Sequence, residues 1–288
     1  MTLRRLRFGL ATLLGLAERG FFIPYRHAGA APPPGRRPPY APAEALFRAQ
    51  EPRFRETLAA IDAHGRDLLA IGADDPPPAP RWRQDWFPRL DAAAAYALLR
   101  RLRPSRVVEV GSGHSTRFLA RAAADGALPT RITAIDPEPR ADLSGLAGRV
   151  ELLRATVQAV GPAPFARLGP GDMLLIDSSH VLMPGTDVDL LLNHILPALP
   201  AGIVLHVHDV FLPDDYPAGW AWRGYNEQLA VAALLAGGGF EPLFASHYAV
   251  TRMAGAVASS VAGRLPLPSG ARESSLWLRK RAGPIASL

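Results

Sequence analysis

The groups in this sequence that could bind or react gather in four short stretches. In VVEVGSGHSTRF, residues 107–118, an apolar run carrying Glu109 breaks at Gly111, Ser112 and Gly113 and restarts as a helix around Ser115. Glycines allow close backbone approach to a ligand, and a helix start presents free N–H groups. AIDPEPR places Asp136 at the end of the next apolar run. A carboxylate there can accept hydrogen bonds from both hydroxyls of a ribose. LLIDSSH supplies Asp177 and His180, and HVHDVFLPDDYP supplies His206, His208 and Asp209. A histidine titrating near neutrality can take a hydroxyl proton, with a nearby carboxylate to orient it or to hold a metal.

Three chemistries compete for the first stretch. A dinucleotide fingerprint needs a third glycine where Thr116 stands, so a pyrophosphate is only half accommodated. Gly113-His114-Ser115 starts like a nucleophile elbow, with Asp177 and His208 following in triad order, but Arg117 occupies the place of the glycine that the sharp turn needs. A cofactor without phosphate explains more residues. Glu109, below the glycine turn, suits a headgroup bearing an ammonium and a sulfonium, while Asp136 suits its ribose.

These groups need a scaffold. Short apolar runs bounded by turn residues predict strands at 106–110, 131–135, 149–153, 173–176, 203–207 and 241–245, with helices between most of them. A seventh strand at 275–279 could join beside the sixth, and helices are expected within 84–102 and at 225–236. Strands alternating with helices imply parallel crossovers, hence an α/β, Rossmann-like doubly wound sheet that binds ligands at the carboxyl ends of its strands. Upstream, proline-rich stretches at 31–42 and 74–80 read as linkers, since proline fixes its backbone and lacks the amide donor. Between them, residues 44–71 carry apolar side chains at helical intervals. The expected division is a helical extension at 1–80 and a catalytic domain at 81–288.

Over about residues 82–253 the sequence resembles the class I methyltransferases that use S-adenosylmethionine, on E-x-G-x-G-x-S at Glu109–Ser115, the acid Asp136 and LLIDSSH. The resemblance implies a mostly parallel seven-stranded sheet and a cofactor site lined by Glu109, Gly111, Gly113 and Asp136, to which Ser112, Ser115 and Asp177 are added by position. D-x-x-H after strand four and H-D after strand five are similar to a small-molecule branch. In relatives that methylate sugar or catechol-like hydroxyls, carboxylates at these strand ends hold magnesium. Asp177 and Asp209 match those positions, while His208 stands where some relatives have an acid. The expectation is therefore O-methylation of a small molecule, with His180 or His208 as base and Asp209 or Asp177 as orienting partner or metal ligand. A NAD-dependent dehydrogenase and a non-catalytic cofactor-binding interaction module remain as alternatives.

Composition narrows the partners. The chain has 32 Lys plus Arg against 26 Asp plus Glu, yet Lys280 is its one lysine, so the positive balance comes from scattered arginine. That scatter argues against a nucleic-acid footprint and fits a GC-rich, bacterial genome. The absence of cysteine excludes disulfides, thiolate metal sites and cysteine nucleophiles. At the start, Arg4, Arg5 and Arg7 precede about ten mostly apolar residues ended by Glu18 and Arg19, too short a run to span a bilayer. Leu10, Leu13, Leu14 and Leu16 could form one side of an amphipathic helix, docked on the protein or on a subunit, or lying on a membrane surface. A cytoplasmic protein, with peripheral membrane contact and oligomer formation left open, is the expectation.

Overall fold

A computed structural model describes residues 3–284 other than 18, 21, 22 and 24. Glu18 and the side chains of Arg4 and Arg5 lie outside the described residues.

Seven strands form one sheet: β1 (Arg106–Val110), β2 (Arg131–Ile135), β3 (Val150–Leu153), β4 (Met173–Ile176), β5 (Val204–Val207), β6 (Phe240–Ala245) and β7 (Leu276–Lys280). Their spatial order is β3-β2-β1-β4-β5-β7-β6. β1 to β5 pair in parallel, and β7 inserts antiparallel between β5 and β6. This is the doubly wound, mostly parallel seven-stranded sheet expected from the sequence. β4 (MLLI) and β5 (VLHV) are buried at every position because parallel strands are covered on both faces. Pro242 is tolerated because β6 forms the sheet edge, and the register shifts there between Pro242 and Phe244.

Helices cover the faces. α1 (Leu3–Leu13), α2 (Ala41–Ala49) and α3 (Glu51–Ala63) precede the sheet, and α4 (Arg89–Leu102) leads into β1. In α4 every residue from Leu90 to Leu99 is buried, an alanine-rich run whose small side chains allow close packing against α5 (His114–Asp125). Residues 41–71 are not a detached arm. Phe54 of α3 packs edge-on against Phe244 and Tyr248, with centroids 5.8 Å apart in both pairs, and the Thr57 hydroxyl donates to the Leu243 carbonyl. α6 (Glu227–Ala236) precedes β6 and begins two residues later than expected.

The start of α4 is tied to the entry of β7. Glu273 accepts two hydrogen bonds from Arg89, both 2.7 Å, and one from the Leu90 amide. Asp91, fully buried, accepts from the amides of Ser274 and Ser275 at 3.0 and 2.9 Å. This clamp places a carboxylate directly beneath the end of β5.

Candidate active site

The carboxyl ends of β1, β2 and β4 converge on one cavity of about 1210 Å³, whose wall includes Gly111, Asp136, Asp177, Thr156, Met183 and Asn226. Residues of α1, among them Phe8, Gly9 and Thr12, border it from outside.

The glycine turn is made by close approach. Gly111 has φ +81, and a Cβ there would lie 1.8 Å from the Asp177 carbonyl oxygen, so only glycine lets β1 leave the sheet at this point. Ser112, Gly113 and Ser115 pack around the turn without lining the cavity. Asp136 lines it, with its carboxylate already engaged: Oδ2 accepts from the Ser112 amide (2.6 Å) and hydroxyl (3.1 Å), and Oδ1 from the Glu138 amide (2.8 Å). It holds the turn in shape as well as lining the cavity.

Glu109 lies one layer down, buried and outside the cavity wall. Its Oε2 accepts from the Thr116 hydroxyl at 2.6 Å, and Thr116 in turn accepts from the Gly113 amide. Oε1 is buried without a partner. Burial pushes the carboxyl up to about 7, against the pull of the Ser115 and Thr116 hydroxyls. Thr116, where a dinucleotide site would need glycine, is thus the residue that joins the turn to Glu109.

The second half of the site is a cluster of imidazoles and carboxylates. His180 and Asp209 follow β4 and β5 with left-handed backbone, φ 59 and 54, a conformation that costs side-chain-bearing residues about 1–3 kcal/mol and concentrates at functional sites. The amides of Asn226 and Glu227 donate to the His180 carbonyl and hold it there. Asp177 Oδ1 faces His180 Nε2 at 3.3 Å and His208 Nδ1 at 3.4 Å, and Asp209 stands 3.5 and 3.6 Å from the same two nitrogens. On its far side His180 meets Glu227 at 2.9 Å, and His208 meets Asp91 at 3.4 Å.

The electrostatics reflect these neighbours. Burial alone would lower both histidines. For His180 the hydrogen bonds to Asp177 and Glu227, with the charge of Asp209, win and raise it well above its ordinary value. For His208 the charges of Asp177 and Asp209 do the same. Burial would raise Asp177, but the two imidazoles hold it well below the usual carboxylate range. The sequence alone suggests histidines titrating near neutrality; the added carboxylates make them stronger bases. Neither ring borders the cavity, whereas Asp177 does, with a third of its side chain exposed. His206 points elsewhere: it bonds the Ser275 hydroxyl at 2.8 Å, stacks on Trp277, and burial pushes it down to about 3.

The carboxylates Asp177 and Asp209 do not fit the expected magnesium ion. Their oxygens face the imidazole nitrogens of His180 and His208 at 3.3 to 3.6 Å, whereas magnesium prefers a full shell of oxygens. Among the described residues no group of three or more acidic or histidine side chains is arranged to hold a metal.

Asp91 and Glu227 are the cluster members that sequence reasoning missed. Each sits in the first turn of an apolar helix, where an acid reads as a partner of the helix dipole. The aromatic loop after β5 divides in two. Its first half is pinned, with Asp214 held by Arg252 and His247, and the Phe211 amide by Gln228. Trp222 and Arg223, in the second half, border the cavity, and the Arg223 guanidinium lies 4.2 Å above the Trp220 ring.

Residues 108–210 match a family described as a methyltransferase domain. No curated protein sequence matches the chain. Among solved structures, an SAH-bound methyltransferase from Podospora anserina is similar, at 14% identity and TM-score 0.42, covering 91% of this chain and 100% of that one. An O-methyltransferase from Streptomyces achromogenes involved in tomaymycin synthesis, in complex with SAM, is similar at 16% identity and TM-score 0.42, covering 79% and 90%. A Bacillus cereus O-methyltransferase in complex with SAH is similar at 13% identity and TM-score 0.38, covering 78% and 91%.

Proposed function

We propose that this protein is a class I, S-adenosylmethionine-dependent methyltransferase that methylates a hydroxyl oxygen of a small molecule, a reading that starts from the match of residues 108–210 to a methyltransferase domain. The observation that carries this reading is a single cavity reaching from the glycine turn and Asp136 to Asp177, which is backed by two histidines.

The residues at the glycine turn fit the cofactor. Gly111 keeps the turn open to close approach, Asp136 faces the ribose position, and the unpartnered, buried oxygen of Glu109 provides negative potential beneath the turn. S-adenosylmethionine supplies a methyl carbon already activated by its sulfonium. The protein therefore has to align the acceptor, exclude water and remove one proton.

Asp177 is the group that meets the acceptor hydroxyl. With the cofactor bound to supply its activated methyl group, the hydroxyl proton would pass by way of Asp177 to His180 or His208 in its unprotonated form. Glu227 and Asp91 orient the two rings from behind and stabilise the imidazolium that results. Asp209 faces both rings and adds to that stabilisation. The catalytic unit is residues 81–288, and the helices of residues 1–80 support it, those at 41–71 through the shared core and α1 at the cavity mouth.

Titration calorimetry with S-adenosylmethionine and with its demethylated product is the first test, followed by methyl-transfer assays on catechol-like and sugar hydroxyls. Binding of both nucleosides and transfer to oxygen are expected. If neither nucleoside binds, the reading fails.

A further inference from the structure

The leucines of α1 face the wrong way for a helix that belongs to a core. Leu3, Leu6, Leu10 and Leu13 recur at three- and four-residue intervals and so share one side, extended by Leu14 in the turn after the helix. All five are between 42% and 85% exposed. The other side of the helix, with Phe8, Gly9, Ala11 and Thr12, is half-buried. Leu6, Leu10 and Leu13 border the cavity along one edge of the helix, while Leu3, Leu6, Leu10, Leu14 and Leu16 line a second, shallow apolar groove, and an exposed apolar strip of this kind is uncommon on a protein surface that meets only water. Leu16, Ile23 and Tyr25 continue the exposed apolar surface beyond it.

We propose that α1 lies on an anionic lipid surface and seats the protein there with its cavity mouth beside the bilayer. Charge selects this occupant. Within residues 1–30 the sequence has Arg4, Arg5, Arg7, Arg19 and Arg26 against the single acid Glu18. Leucines on one side of a short helix, in a segment whose sequence is rich in arginine, match a headgroup layer that is apolar below and negative at its surface. The helix is too short to enter further: no helix among the described residues is long and apolar enough to cross a membrane.

The test uses the full chain in co-sedimentation with vesicles of phosphatidylcholine alone and of phosphatidylcholine mixed with phosphatidylglycerol. Binding to the mixed vesicles and much weaker binding to the neutral ones are expected, with the difference shrinking as salt is raised. Leu3→Asp with Leu14→Asp should weaken binding by about a hundredfold, from the apolar area withheld from lipid. Neither residue borders the cavity, and both are exposed, so the variant should keep the parent's melting temperature and nucleoside affinity. Replacing Arg4, Arg5 and Arg7 by Gln should cost roughly fivefold per arginine on the mixed vesicles. Absence of binding to the mixed vesicles, equal binding to both kinds, or full binding by the leucine variant would overturn the proposal. So would a lipid-free dimer that the leucine variant converts to monomer, since the strip would then be a contact between copies.

Discussion

His180 and Glu227 are joined by a buried contact of 2.9 Å between Nδ1 and Oε2, across 47 residues of chain. The acid raises its partner, so the unprotonated imidazole that accepts the hydroxyl proton is reached only above the ordinary histidine range. Rate should accordingly rise with pH through that elevated value. Glu227→Gln removes the charge, and the rising limb of kcat/KM should move to lower pH. A limb that stays in place would remove His180 from the proton path and leave His208.

His208→Ala should lower kcat by about a hundredfold and leave nucleoside affinity nearly unchanged, since the ring does not border the cavity. Calorimetry beside single-turnover kinetics separates the two effects. Because the ring also rests on Phe87, with centroids 5.3 Å apart, a melting curve is needed to confirm that the variant folds.

Glu109 makes stability depend on pH in an unusual direction. Its ordinary value is 4.5 and its folded value about 7, so the folded protein binds more protons in that interval. The contribution is complete below pH 4.5 and is lost as pH rises through 7, a change of about 3 kcal/mol. Glu109→Gln should flatten this part of the profile in denaturant melts. A cationic nucleoside would favour the ionised carboxylate, so its binding should release a proton in the wild type, detectable by calorimetry in buffers of different ionisation heat, and release less in the variant.

Gly111→Ala should be the most damaging conservative change in the domain. The new methyl would meet the Asp177 carbonyl at 1.8 Å on a backbone with φ +81, so the turn must move. A loss of about 2–4 kcal/mol in chemical denaturation and loss of nucleoside binding are expected.

Asp136→Ala should both weaken nucleoside binding and lower the melting temperature, because three hydrogen bonds that shape the turn end on this carboxylate. Asp136→Asn keeps an acceptor on one side of the turn and turns its NH2 group against the donors on the other. It should recover part of the stability and little of the affinity.

How far the sequence could be read depended on whether the information was local. β1, β2 and β4 show as continuous apolar runs because both of their faces are covered, and Gly111, Asp136 and Asp177 mark their ends as turn or polar residues. That β7 lies beside β6 was legible, but its antiparallel insertion next to β5 was not, since the 256–271 segment before it has no single period and that pairing is set by contacts with β5. The cluster was half visible. D-x-x-H and H-D were in view, but the acids behind the histidines come from helices that fold back onto them, and only the packing of α4 and α6 reveals Asp91 and Glu227. The same geometry puts imidazoles within 3.3 to 3.6 Å of Asp177 and Asp209, a contact that a one-dimensional pattern of carboxylates does not show.

The insertion of β7 between two strands made earlier has a consequence for biosynthesis. Until residue 280 has left the ribosome, β5 and β6 have no neighbour to share, Asp91 lacks the Ser274 and Ser275 amides, and the seat of His208 is unfinished. A nascent chain can therefore build the nucleoside-facing half of the sheet well before the half that moves the proton, and activity should appear only as the final strand closes the gap.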